Sequence, residues 1–157
     1  SALNARLQEA LNPHGPSVTR FGRTFRSGDK VLQTVNDYDK DVFNGDLGRV
    51  GGIDMDAGTM TVVYEDDEVS YDFAELDELL PAYAISVHRS QGSEYPAVVV
   101  PVTTQHYPLL QRNLLYTAVT RGRRLVVLGG SPRAIAISVK NRSTMERHTG
   151  LRKWLVE

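Results

Sequence analysis

The sequence predicts an α/β fold with a parallel sheet that carries a small inserted β unit. Three observations lead there. The second half alternates strand and helix, as "AVVVPV", "PLLQRNLLYTAVTR", "RLVVLGG" and "SPRAIAISVKN" follow one another. Its two strand segments are near-continuous apolar runs, the pattern of strands covered on both faces. Between residues 47 and 77 the pattern changes to short alternating strands with turn residues between them.

The elements follow in order. In "ALNARLQEAL", Leu3, Leu7, Ala10 and Leu11 recur at helical spacing and predict an amphipathic helix. "NPHGP" stops it. "SVTRFGRTFRSGDKVLQTVN" reads as mostly extended, and "YDKDVFNGDLG" as a loop with the turn signal Asn44-Gly45. "LGRVGGID", "TMTVVYE" and "EVSYDF" predict three strands, with Gly51-Gly52 marking a bulge or tight bend. Such a meander is expected to close into a small barrel with its own core. "ELDELL" predicts a short helical turn ended by Pro81, and "AYAISVH" a strand. After the apolar strand "AVVVPV" comes a helix with Leu110, Leu114 and Ala118 at spacing four. The last helix has Ser131 as N-cap and Pro132 at its first position.

With 157 residues the chain has room for one domain, or one with a small insertion. It is 41% hydrophobic and 24% charged, the mix of a soluble globular protein, and no apolar run is long enough to span a membrane. The absence of Cys excludes disulfides and Cys-ligated metal, and is compatible with the reducing cytoplasm. The chain opens without an initiator Met and directly on a helical pattern, so a piece of a longer protein is expected. Formal net charge is −1, but the charge is segregated. Asp37 to Glu78 holds fourteen acidic and two basic residues; His106 to Glu157 holds ten basic and two acidic ones. The basic half suits a polyanion such as nucleic acid, unless the halves simply neutralise each other.

Two stretches carry polar chemistry. In "SVHRSQGSEYPAVVV" a Gly follows a strand signal in a turn crowded with polar groups. Backbone N–H groups in such a turn can meet phosphate oxygens, and Glu94 can accept from ribose hydroxyls. Strand alternation would set Ser86 and His88 on one face. A plain strand–turn–strand would contain similar residues. In "LLYTAVTRGRRLVVLGG" a helix ends at Arg121, and Arg123 and Arg124 suit its dipole. Gly122 ends the helix and leaves the Arg121 guanidinium at an edge, where an arginine can reach a transferring phosphoryl group.

Together the two stretches resemble the fifth and sixth helicase motifs of superfamily 1. They are most similar to the RecD-like (RecD/TraA) branch, which includes the exodeoxyribonuclease V alpha subunit. That branch reads S-x-H-[RK]-S-Q-G-S-E followed by L-Y-T-A-[VI]-T-R. "LNARLQEALNP" and "GDKVLQTVNDYDKDVFNGDLG" resemble the same branch, so the likeness covers nearly the whole chain in order. It implies a second RecA-like helicase domain of the P-loop NTPase type. Residues 1–46 and 78–157 would form that domain, and 47–77 an inserted SH3-like barrel. By motif position Gly92, Glu94 and Gln91 would meet the nucleotide, and Arg121 would be the arginine finger. Ser86 and His88 would face the DNA backbone, with Asn44 a further DNA-binding candidate.

The same resemblance implies ATP and Mg²⁺ as cofactors of a longer parent. Its partners would be single-stranded DNA, a first RecA-like domain and other recombination-nuclease subunits, with no membrane. The sequence holds no G-x-x-x-x-G-K-[ST] loop, and "EDDE" at Glu65 to Glu68 reads as a hairpin turn rather than a metal carboxylate pair. The chain alone is therefore expected to be inactive on ATP, with no cofactor held tightly and no metal site of its own. The acidic turns of the inserted unit depart from a phosphate-gripping surface. Rival readings are a non-catalytic protein-interaction module and a DNA-binding domain that never meets ATP.

Overall fold

The computed structural model describes residues 2–65 and 67–141, which form two compact units, one within residues 1–89 and one within 90–157. The first unit opens with helix α1, Ala2–Leu11. Strands β1 (Ser17–Arg20) and β2 (Arg23–Arg26) form an antiparallel hairpin. Strands β3 (Lys30–Gln33), β4 (Leu47–Asp54), β5 (Thr59–Val63), β6 (Glu68–Asp72) and β7 (Leu79–Pro81) form one antiparallel sheet in the order β6-β5-β4-β3-β7. The register shifts between Val50 and Ile53, so Gly51-Gly52 is a bulge, as its sequence implies.

The sheet departs from expectation in two ways. Its described strands leave β6 and β7 as edges, so the meander is an open sheet and not a closed barrel. It is also wider than residues 47–77, because β3 and β7 flank the meander on the other side. One apolar core runs through all of it. Met60, Val62, Tyr71 and Leu79 are fully buried together with Val31 of β3 and Phe25 of the hairpin. The inserted stretch therefore shares a core with its surroundings.

Helix α1 forms where predicted but faces the other way. Its buried residues are Asn4 and Gln8, while Leu3 and Leu11 are exposed. The reason is a buried carboxylate. Asp29 is completely buried and accepts from the side chains of Gln8, Asn12 (2.7 Å) and Tyr83 (2.8 Å) and from the backbone N–H of Arg26 (2.7 Å). Removing a carboxylate from water is costly unless donors replace the lost hydration, and Gln8 of α1 with Asn12 just past its end supplies two of them.

The second unit holds β8 (Tyr95–Val102), a 3-10 segment at Thr104–Leu109, α2 (Arg112–Val119), β9 (Gly122–Gly130) and α3 (Pro132–Lys140). β8 and β9 pair in parallel, as a strand–helix–strand unit requires. Val102, Leu110 and Ala134 are buried, with Val100, Leu115 and Leu128 packed against them. The Ser131 side chain accepts from the Ala134 N–H at 3.2 Å and caps α3, with Pro132 behind it, as the sequence predicts. The expectation of strands buried on both faces is not met among the described residues. Val99 is 74% exposed and Leu125 56%, because both helices pack on the other face of this two-stranded sheet. No described helix is long and apolar enough to cross a membrane.

Candidate nucleotide and nucleic-acid site

The Tyr83–Ser90 segment is not a strand. It follows β7 as irregular chain and turns at Val87 to Gly92. The alternation that would set Ser86 and His88 on one face is therefore absent. The cause is tertiary. Asn4 of α1 clamps Ala84 at both ends of its peptide, accepting from its N–H (2.8 Å) and donating to its carbonyl (2.9 Å). Those backbone groups are thereby taken by a side chain instead of a neighbouring strand. Ser86 and His88 are both exposed, and the Ser86 hydroxyl accepts from the Arg89 N–H at 3.3 Å. Asn44 sits in the predicted turn, its N–H donating to Asn36 Oδ1 at 2.9 Å, and no described bond joins it to Ser86 or His88.

In the second unit the two motif stretches meet. Gly92 lies in the left-handed region at φ +87°, with open space where a Cβ would stand, so backbone conformation and not crowding calls for glycine there. Gln91 and Gly92 are exposed in this turn. Arg121 is half-buried just past the end of α2, and its guanidinium is held from three sides. Nε donates to the Thr117 carbonyl (3.1 Å), Nη1 to the Ser93 carbonyl (3.1 Å) and Nη2 to the Thr120 hydroxyl (3.2 Å). The Arg121 carbonyl in turn accepts from the Tyr95 N–H at 2.8 Å. The end of one motif is thus stitched to the turn of the other by side chain and backbone together.

Glu94 takes a protein partner that the sequence reading does not foresee. Its carboxylate accepts from Arg123 Nε, and that bond, with the charge of the same guanidinium, holds its carboxyl below the usual range. Arg123 does not serve a helix dipole, because α2 stops at Val119 and Arg123 is already on β9. Sequence reasoning missed this pairing. The register of β8 against β9, which places Tyr95 beside Gly122, sets Glu94 near Arg123 and is not readable from either motif alone. Gly122 is fixed by crowding. A Cβ there would stand 2.6 Å from Val126 Cγ2 and 2.9 Å from the Leu125 carbonyl. The donor set of the unit, a guanidinium above an exposed glycine turn, suits an anion. Among the described residues no group of carboxylates and imidazoles stands ready to hold a metal ion.

Comparison with known proteins gives this geometry a family. Residues 3–64 match the family model of the ATP-dependent RecD-like DNA helicase SH3 domain, and residues 81–128 that of the UvrD-like helicase C-terminal domain. The ATP-dependent RecD2 DNA helicase of Deinococcus radiodurans is 40% identical over 149 residues, covering 95% of this chain and 20% of that protein. The RecBCD enzyme subunit RecD of Mycobacterium tuberculosis is 34% identical over 127 residues, covering 80% of this chain and 21% of that subunit. A solved structure of the Pif1 helicase from Bacteroides, in complex with ADP-AlF3 and ssDNA, has a like fold. Its TM-score is 0.61 at 19% identity, over 99% of this chain and 43% of that one. The class that the two family models define is that of helicase domains, an SH3 domain in residues 3–64 and a UvrD-like C-terminal domain in residues 81–128. Within that class the chain belongs to the RecD-like helicases. It spans about a fifth of the length of the curated relatives it matches.

Proposed function

We propose that this chain is the C-terminal motor segment of an ATP-dependent DNA helicase. The whole protein would couple ATP hydrolysis to translocation on single-stranded DNA and to duplex unwinding. The observation that carries this reading is the bond from Arg121 to the Ser93 carbonyl. It sets a preorganised guanidinium beside the turn that presents Gly92 and Gln91. In this reading Arg121 is the arginine finger, and Gln91, Gly92 and Glu94 line the nucleotide. Ser86, His88 and Asn44 lie along the DNA. Mg²⁺ and the triphosphate, when bound, supply the phosphoryl-transfer chemistry. A first RecA-like domain carrying the phosphate loop and the metal carboxylate is the obligatory partner, and other recombination-nuclease subunits are partners of the whole protein.

Arg121 has five N–H donors, and its anchoring engages one on each nitrogen. A second N–H on each of Nη1 and Nη2 is left to meet charge that develops on a phosphoryl oxygen, with little reorganisation at the moment of reaction. Glu94, kept ionised by Arg123, is suited to accept from sugar hydroxyls. The domains are best drawn with the SH3-like unit extended from residues 47–77 to β3, β7, α1 and the β1–β2 hairpin, which belong to the same compact unit, and with the RecA-like part in the second unit.

The test is kinetic. Arg121→Ala in the full-length protein is expected to lower kcat at least about a hundredfold with little change in nucleotide Kd, because a finger acts chiefly in the transition state. The purified 157-residue chain is expected not to hydrolyse ATP. A large rise in Kd with unchanged kcat would make Arg121 a ground-state binder, and turnover by the chain alone would place the site elsewhere.

A further inference from the structure

The hairpin of β1 and β2 carries an anomaly at its tip. Arg20 pairs with Arg23, so the loop is the two residues Phe21 and Gly22, both at positive φ, +50° and +69°. That is the backbone of a type I′ turn, whose first position favours Asn, Asp or Gly. A phenylalanine there is strained and, at 56% exposure, recovers little by burial. Strain that burial does not offset is an outlier from which a functional role can be sought.

Beside this tip lies a cavity of about 370 Å³ within the first unit, with Gly22, Arg23, Thr24, Ser86 and Arg89 in its wall. Its lining includes two arginines and no carboxylate. That is unexpected on this unit, since residues 1–89 hold sixteen Asp and Glu against eight Lys and Arg. Arg23 is fixed in place, with Nη1 donating to the carbonyls of Asp77 (2.9 Å) and Leu79 (2.8 Å). Ser86 turns its hydroxyl to the Arg89 N–H. A held guanidinium, a second exposed one and hydroxyls suit a phosphodiester; an exposed aromatic beside them suits a base.

We infer that the Phe21-Gly22 hairpin tip and the adjoining Arg23–Arg89 cavity form one nucleotide seat for single-stranded DNA, with Phe21 stacking on the base and Arg89 contacting the phosphate. The inference rests on the helicase reading above for the strand itself, and adds Phe21 and Arg23, which lie outside the motifs, to Ser86 and Arg89, which lie within the first of them. Stacking on a π-face is indifferent to sequence, and so suits a translocating motor.

The experiment uses the full-length protein and oligo(dT) carrying a single 5-iodouracil. Ultraviolet crosslinking is expected to mark the peptide containing Phe21. Phe21→Ser is expected to weaken binding about 5- to 100-fold, and Phe21→Tyr to restore it. Arg89→Gln is expected to weaken binding alike for every sequence and to flatten the log–log salt slope by about one. Both side chains are exposed, so these variants are expected to fold. Normal oligonucleotide binding by Phe21→Ser and Arg89→Gln, with crosslinks mapped elsewhere, would overturn the seat and leave the helicase reading intact. Loss of melting temperature with unchanged binding would make the tip a structural element of the fold instead, and overturn the seat as well. A wild-type protein that binds no single-stranded DNA would overturn the helicase reading, and the seat with it.

Discussion

Arg121 shows how much of a site is decided by single contacts. Its guanidinium is useful only if it is held, and three acceptors from α2 and the Ser93 turn hold it. Gly122 behind it admits no side chain, because Val126 and the Leu125 carbonyl close in on the place a Cβ would take. Glu94 and Arg123 make a second local device. The pair lies at the surface, so it contributes little to stability, but it sets the charge of the carboxylate. The sign follows from the depressed pKa. The pairing is complete above about pH 4.3, the ordinary glutamate value, and is lost as pH falls through the lower value of the folded state. In Arg123→Gln the Glu94 carboxyl is expected to titrate higher than in the parent chain, as read by carbon-detected NMR. An unchanged midpoint would show that Arg123 does not govern it.

At the scale of elements, α1 illustrates a helix whose hydropathy misleads. Leu3, Leu7 and Leu11 form the apolar stripe, yet the stripe that packs is Asn4, Gln8 and Asn12. It serves Asp29 and Ala84, and through Asp29 it reaches Tyr83, whose hydroxyl is pushed up to about 12 by burial and then by the bond to that carboxylate. One buried acid thereby fixes the helix, the hairpin and the start of the motif segment to one another. Gln8→Leu improves the helix by hydropathy, but it leaves Asp29 a donor short. It is expected to destabilise the chain by about 1–3 kcal/mol, measured by urea unfolding. Leu11→Gln, on the exposed side, is expected to change stability by less than about 0.5 kcal/mol. A neutral Gln8→Leu would mean that the remaining donors suffice.

At the scale of the molecule, the inserted β stretch has no separate core. Tyr71 of β6 passes a hydrogen bond to Gln33 of β3, which donates to Glu78 just before β7, so even the polar contacts cross the boundary of the stretch. Replacing residues 47–76 with a short Gly/Ser linker is therefore expected to abolish cooperative unfolding of the first unit, contrary to the separable insertion that turn spacing implies. Retention of a sharp calorimetric transition would show that the hairpin, β3 and β7 pack without the meander. The second unit has the opposite incompleteness. Val99, Leu125 and Val127 lie exposed on strands whose sequence is written for burial on both faces.

The sequence by itself determined the local elements and the order of the motifs. The strands at Leu47–Asp54, Thr59–Val63 and Glu68–Asp72, the bulge at Gly51-Gly52 and the Ser131 cap follow from alternation, turn chemistry and capping, which act within a few residues. Gly92, Glu94 and Arg121 stood out as chemistry for the same reason. Only the tertiary structure decided which partner each group takes. A buried Asp29 outweighed the apolar stripe of α1, and a clamp from Asn4 outweighed the strand propensity of "AYAISVH". The parallel register of β8 and β9 matched Glu94 with Arg123. The physical reason is the same in each case. Propensity is worth a few tenths of a kcal/mol per residue, whereas satisfying a buried polar group is worth about 1–3 kcal/mol, and its partners lie tens of residues away along the chain.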